Sequence, residues 1–471
     1  MNRRQFLRHT SLLTSGIMLG SVSRAAEPGF PVVRTPEAKR KFKSRAVERT
    51  IETMKARIGN RELGWMFENC FPNTLDRAVE FQVVDGRPDT YVVSGDVDAM
   101  WLRDSTAQVW PYLPLMKNDS NLQQLIGGVI HRQTRCLLKD PYANAFSKDE
   151  SKVSPWKTDR TEMRPGVHER KWALDSLCYP IRLAYHYWKA SNDRAPFDAA
   201  WREAMLRALK TLREQQRKAG PGPYSFQRCT ELAADTLAGG GYGRPARPVG
   251  LISSMFRPTD DATVFPLLAP SNFLAVASLR QAAELLSQIH RDRETAGECR
   301  ALADEVEGAL REHAVVIHPK HGRILPYELD AYGNYYCIDE GSAPSLLSLP
   351  YLEAVGPGDP LYLNTRRFVL SDSNPYYCTG KAAAGPGGPH LGREMISLLG
   401  LIVQGLTSTD DQEVRQCLLT LQKTHAGTGF MHEAFHQDDP DKFTRSWFPW
   451  ANSMFGELIV KSYKERPHVL N

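Results

Sequence analysis

The chain is 471 residues long, 42% hydrophobic and 24% charged, with a formal net charge of +5. That length suits one large domain or two smaller ones. Much of the positive charge is N-terminal: Arg3, Arg4, Arg8 and Arg24 have no acid among the first 25 residues, and without that stretch the net charge is +1. The balance gives no reason to expect nucleic acid or an anionic membrane surface as a partner. Eight scattered cysteines form no C-x-x-C pair, which argues against a cysteine zinc site or a dithiol redox motif.

At the start of the chain, Arg3-Arg4-Gln5-Phe6-Leu7 is a twin-arginine pair running into apolar residues, followed by a short hydrophobic stretch, Leu12 to Val22. Ser23-Arg24-Ala25 then offers small residues at the −3 and −1 positions of a cleavage site. This pattern predicts a twin-arginine export signal over residues 1–25 and a periplasmic or extracellular mature protein, residues 26–471, forming a single domain. The apolar stretch is short for a bilayer span, and no later segment is long and apolar enough, so no stable membrane insertion is expected. The chain carries no mark of its oligomeric state.

Helical periodicity dominates the rest of the chain. Leu122, Leu125, Ile126, Val129 and Ile130 share one face, as do Phe273, Val276, Leu279, Ala282, Leu286 and Ile289, and then Cys299, Leu302, Val306 and Leu310. About eleven helices are predicted: 45–61, 100–113, 121–139, 172–190, 196–219, 262–289, 293–313, 342–353, 390–406, 409–424 and 447–464. Ser271-Asn272 is a plausible N-cap within the sixth, and Thr407-Ser408 precedes the tenth. Strand–helix alternation is absent, which disfavours a doubly wound sheet or a TIM barrel. The expectation is an all-α fold, an (α/α)6 barrel or toroid of paired helices, with the long loops 219–258 and 374–389 forming a pocket at one end.

Four stretches carry chemistry. Ser94-Gly95-Asp96-Val97-Asp98-Ala99-Met100-Trp101-Leu102-Arg103-Asp104-Ser105 packs three acids, an arginine and a tryptophan into a loop-to-helix junction. Carboxylates accept bonds from vicinal hydroxyls, arginine fixes carboxylates, and an indole face packs against a sugar's C–H surface. Asp96, Asp98, Trp101, Arg103 and Asp104 are therefore candidate ligand-binding residues. In Phe256-Arg257-Pro258-Thr259-Asp260-Asp261, one acid is expected to cap the following helix and the other to face the pocket beside Arg257. His432-Glu433-Ala434-Phe435-His436 matches H-E-x-x-H, the zinc-peptidase pattern, which needs a helix to bring both histidines to one metal. Gly427, Gly429 and Asp438-Asp439-Pro440 crowd that helix to two turns at most, so no metal is expected here. Arg445-Ser446-Trp447-Phe448-Pro449-Trp450 adds aromatics. Separated carboxylates, arginines and tryptophans in loops are the equipment of glycoside hydrolysis. A zinc peptidase and a non-catalytic glycan-binding protein remain the alternatives.

Segments 94–105, 256–261 and 431–435 resemble the hallmark segments of glycoside hydrolase family 125, and the resemblance runs from about residue 40 to 465. It implies an exo-acting, inverting, metal-independent α-1,6-mannosidase on an (α/α)6 barrel, with no cofactor and a mannose-terminated glycan as substrate. It also implies Asp260 as general acid, with Asp261 the alternative, and Glu433 as general base. Asp261, Arg257 and His432 are then expected beside the bound sugar, with the 96–104 cluster as its floor and Arg393 and Glu394 as possible additions.

Overall fold

A computed structural model describes residues 29–471, so the predicted export signal lies outside the described residues. Those residues form twelve α-helices. Five of them, Leu398–Thr407, Pro449–Glu465, Leu102–Val109, Asp175–Ser191 and Ala269–Leu285, pack each on the next in that order. Their burial follows from their sequences. Helix Leu102–Val109 is buried at all eight positions, and Leu398–Thr407 is apolar nearly all round.

A second set covers the first. Ser120–Lys139 lies against Asp175–Ser191, and Ala199–Glu214 against Ser120–Lys139. Arg293–His313 lies on Ala269–Leu285, Asp411–Lys423 on Leu398–Thr407, and Arg61–Cys70 on Pro449–Glu465. These helices are amphipathic: Arg293–His313 buries Thr295, Ala296, Cys299, Leu302, Val306 and Leu310, one stripe at helical spacing. Side-chain caps fix their starts. Asp119, Asp198, Asp292, Asp359 and Asp410 each accept a backbone N–H in the first turn. One hydrophobic core runs from Val47 to Leu470.

The all-α expectation needs correction. Six small sheets of two or three strands lie among the described residues. Val79–Val84 and Arg87–Val92 form a hairpin turned by Asp85-Gly86, both at positive φ (50° and 75°), the geometry of a type I′ turn. The predicted helix 342–353 is bends and turns, and Met395–Ser397 is a strand leading into a helix that starts only at Leu398. Helices Arg61–Cys70 and Pro360–Val369 escaped the periodicity count. The tenth predicted helix starts at Asp411, capped by Asp410. No helix starts at Ala262 and neither acid caps one. The helix begins at Ala269, and Asn272 instead bonds the backbone of Ile252.

Candidate active site

Loops between the helices enclose a cavity of about 700 Å³, its open mouth included. Trp101, on its lining, belongs to a three-stranded sheet, Met100–Trp101 against Ala145–Phe146 against Val167–Glu169, whose register sets Trp101 opposite Ala145 and Ala145 opposite Glu169. This brings Trp101, Asn144 and Glu169 into one neighbourhood. The 94–105 segment is pressed against the 447–450 segment at Gly95 (φ 78°), where a Cβ would lie 2.4 Å from the Trp447 carbonyl oxygen.

Asp260 lies on the cavity wall, 95% buried, with φ 63°. The Trp101 indole N–H donates to its Oδ2 (3.1 Å) and the Asn144 amide to its Oδ1 (3.1 Å). Asn144 also donates to Glu169 (2.9 Å). The Lys171 ammonium donates to the Asp260 carbonyl (2.9 Å) and to Asp235 (2.6 Å), holding a backbone conformation that side chains disfavour. Arg103 Nη2 stands 3.5 Å from Asp260 Oδ1, while Nη1 donates to Asp175 (2.9 Å) and Nε lies 3.6 Å from Asp104. Three buried carboxylates therefore share one guanidinium. Burial pushes the Asp104 and Asp175 carboxyls up, and Arg103 opposes it. Burial works against the Arg103 cation too, but the three acids hold it charged, above its ordinary range. Asp104 lines the cavity, and its Oδ2 is buried on the side that faces Arg103.

Glu433 lines the same cavity. It precedes strand Ala434–His436, which pairs with both Met395–Ser397 and Asp439–Thr444. Its backbone N–H bonds the Thr444 carbonyl and its carbonyl accepts from Leu398 N–H. Thr444 Oγ1 donates to Glu433 Oε2 (3.3 Å), and Arg445 Nη1 is 3.7 Å from Oε1. Arg445 also binds Asp96 (2.6 Å) and the Ser94 carbonyl (2.7 Å) and lies 4.5 Å over the Phe448 ring. Phe448 and Trp450 line the cavity; Trp447 instead donates to Asn73 beneath Arg77.

Of the sequence candidates, Trp101, Arg103, Asp104, Asp260 and Glu433 line the cavity together. The others do not, each for a local reason. The turn bridging Ser94 to Val97 points Val97 inward and sends Asp98 out to solvent, 71% exposed and paired with Lys152. Asp96 faces outward and acts through Arg445. Arg257 is buried behind the wall, bonded to Glu328 (2.6 Å) and Glu340 (2.9 Å). Asp261 bonds His390 (2.9 Å). His432, fully buried, stacks on Phe443 at 3.7 Å, and burial lowers its imidazole to about 4. Neighbours in extended chain face opposite ways, so Glu433 turns to the cavity and His432 away. His436 pairs with Glu394, so the H-E-x-x-H residues do not converge on one point. Arg393 and Glu394 are exposed.

Four functional side chains went unread in the sequence: Asn144, Lys171, Glu340 and His390. Glu340 lines the cavity, accepts from Arg257 and Thr259 Oγ1 (2.9 Å each), and so anchors the loop bearing Asp260. Lys171 had a usable signal, since it directly precedes the apolar run Trp172-Ala173-Leu174.

Two carboxylates, Asp260 and Glu433, in one tryptophan-lined cavity of a helical scaffold fit a glycoside hydrolase. Residues 60–460 match the model of the GH125 metal-independent α-mannosidases, and the chain belongs to that family. It is an α-mannosidase. It is 39% identical to the Schizosaccharomyces pombe meiotically up-regulated gene 157 protein, over 94% of this chain and 90% of that one. A Streptococcus pneumoniae metal-independent α-mannosidase, solved in a non-productive complex with α-1,6-mannobiose, is 36% identical, with a TM-score of 0.87 over 90% of this chain and 100% of that one. A more distant glycosidase, 11% identical with a TM-score of 0.53 over 85% of this chain and 97% of its own, shares the fold.

Proposed function

We propose that the chain is an exo-acting, inverting α-1,6-mannosidase, with Asp260 as general acid and Glu433 as general base. The observation that carries the assignment is that one cavity is lined by both carboxylates, and Asp260, not Asp261, is the member of its pair that lines it. The 1,6 linkage draws on the pneumococcal relative's complex. The exo mode draws on the buried Arg103–Asp175 network beneath the cavity, which leaves a bound sugar no way through.

In this reading a terminal mannose sits on the Trp101–Asp104 floor, its hydroxyls bonded to Asp104 and its C–H face on an aromatic ring. Asp260 gives its proton to the glycosidic oxygen as the C1–O bond breaks. Water held by Glu433 attacks C1 from the other face and passes its proton to that carboxylate, releasing β-mannose. This displacement calls for carboxyl groups about 6.5–9.5 Å apart, room for one water. The Arg103 cation stands at Oδ1, so this reading assigns the proton to Oδ2, which meets the neutral Trp101 indole.

The same reading takes the helices as an (α/α)6 toroid, five of its inner places filled by the consecutive helices and the sixth by the turns of 341–353. That segment accepts bonds from Tyr179 and Arg182 and donates from Tyr351 to Glu457. Twin-arginine export belongs to it as well and rests on residues 1–25. The test is proton NMR of α-1,6-mannobiose with the protein in excess EDTA. β-Mannose as the first anomer establishes the assignment; α-mannose first, or no cleavage, overturns it.

A further inference from the structure

The second acid of the Asp260-Asp261 pair has no part in the chemistry above, yet it is 92% buried and bonds a cavity-lining histidine. Its Oδ1 lies 2.9 Å from Nδ1 of His390. His390 is a cavity-lining residue on the connection between strands Ala384–Pro386 and Met395–Ser397. That connection is pinned at its base, because a Cβ on Gly387 would lie 2.4 Å from the Met395 carbonyl oxygen. The His390 side chain, 20% exposed against 8% for Asp260, is the more open of the two and is tied to the acid's loop through Asp261.

Placement gives the pair a meaning. The general acid protonates the oxygen that leaves, so the departing sugar lies over the Asp260 wall, between Asp260 and the mouth. Asp261, adjacent in the chain but turned by the positive φ of Asp260, reaches His390 in that region. A carboxylate on Nδ1 fixes the ring's tautomer and its rotation, and turns the Nε2 edge away from Asp261.

We infer that His390, oriented by Asp261, forms the subsite for the leaving-group hexose and hydrogen-bonds its hydroxyls. His390 binds; Asp261 is a positioning residue. The inference rests on the mannosidase reading and assigns a role that reading leaves open.

The experiment compares α-1,6-mannobiose with α-mannosyl fluoride, which bears no leaving sugar and needs no protonation by Asp260, using the full-length protein and its His390→Ala, Asp261→Ala and Asp261→Asn variants. Losing one hydrogen bond to the leaving sugar lowers kcat/KM on the disaccharide about tenfold for His390→Ala. Hydrolysis of the fluoride stays within about twofold. Asp261→Ala matches His390→Ala on the disaccharide, and Asp261→Asn, whose amide oxygen still accepts from Nδ1, recovers most of the loss. An equal fall on both substrates would place His390 at the mannose being cleaved or in the fold, and would overturn the inference. So would an unchanged disaccharide rate. If the wild-type protein cleaves neither substrate, the mannosidase reading itself fails, an outcome separate from the other two.

Discussion

On one wall of the cavity, Asp260 is held by side chains from three separate stretches, 101–103, 144 and 171, and its loop is anchored by Glu340. On the other, Glu433 sits beside a hairpin and meets only Thr444 and Arg445, the residues that end and follow the paired strand. The acid wall is the more buried, its carboxylate 8% exposed against 17% for Glu433, and it is cross-braced over long sequence separations. The base wall is local, and its Arg445 is shared with the outward-facing Asp96. The two tasks ask for this difference. A group that must deliver a proton to one oxygen profits from fixed geometry, whereas a group that binds water needs access to it.

The sharpest way to break the comparison is to remove each carboxylate and vary the leaving group. Asp260→Asn should lower kcat on α-1,6-mannobiose by roughly 10²–10⁴-fold, and much less on α-mannosyl fluoride. Glu433→Gln should lower both by a similar large factor, since water must be activated whatever leaves. Equal losses for the two variants on both substrates would mean that the walls do not divide the work in this way.

Stability separates the walls next. Arg103→Met strands Asp104, Asp175 and Asp260 in a buried site, and breaking such a network should cost about 3–5 kcal/mol in urea unfolding. Arg445→Met leaves Asp96, already 35% exposed, and Glu433 at the cavity surface, so a loss of about 1 kcal/mol is expected. A costlier Arg445 variant would show that the base wall is braced as the acid wall is.

His432 offers a pH test on the hidden side of the base wall. Its imidazole is lowered to about 4 by burial against Phe443, whereas an unfolded histidine titrates near 6.5. Below about pH 6.5 the unfolded chain therefore takes up a proton that the folded chain refuses until about 4. The stability contributed is complete above pH 6.5 and shrinks as pH falls toward 4, by about 2 kcal/mol at pH 5. His432→Gln should remove that part of the acid slope in unfolding measured from pH 7 to 5. An identical slope in the variant would contradict a buried neutral imidazole.

Legibility in the sequence divides along the same line. The 94–105 cluster and His432-Glu433 announce themselves because their chemistry is dense over a few residues. The braces of the acid wall are single polar residues in unremarkable surroundings, and only the fold brings them together. His168-Glu169-Arg170-Lys171 reads as a solvated charge run, yet all four are buried, with Arg170 on Asp140 and Lys171 on Asp235. Periodicity found the amphipathic helices but mistook 342–353, where Asp339 accepts from Leu346 and Leu347 N–H and fixes a turn instead. The Asp85-Gly86 hairpin was legible from its turn residues, although a helix count passes over it.

The smallest effect concerns how little holds Glu433. Thr444→Val removes the one hydroxyl that donates to its carboxylate while keeping the branched shape that the strand requires. A 3.3 Å bond at a site with access to solvent is worth about 1 kcal/mol or less, so kcat should fall no more than about fivefold, with KM unchanged. Trp101→Phe, which removes the indole donor from the buried Asp260 Oδ2, should cost more on mannobiose, about tenfold or above. If Thr444→Val proves the more damaging of the two, Glu433 depends on a fixed orientation after all, and the contrast between a braced acid and a lightly held base falls.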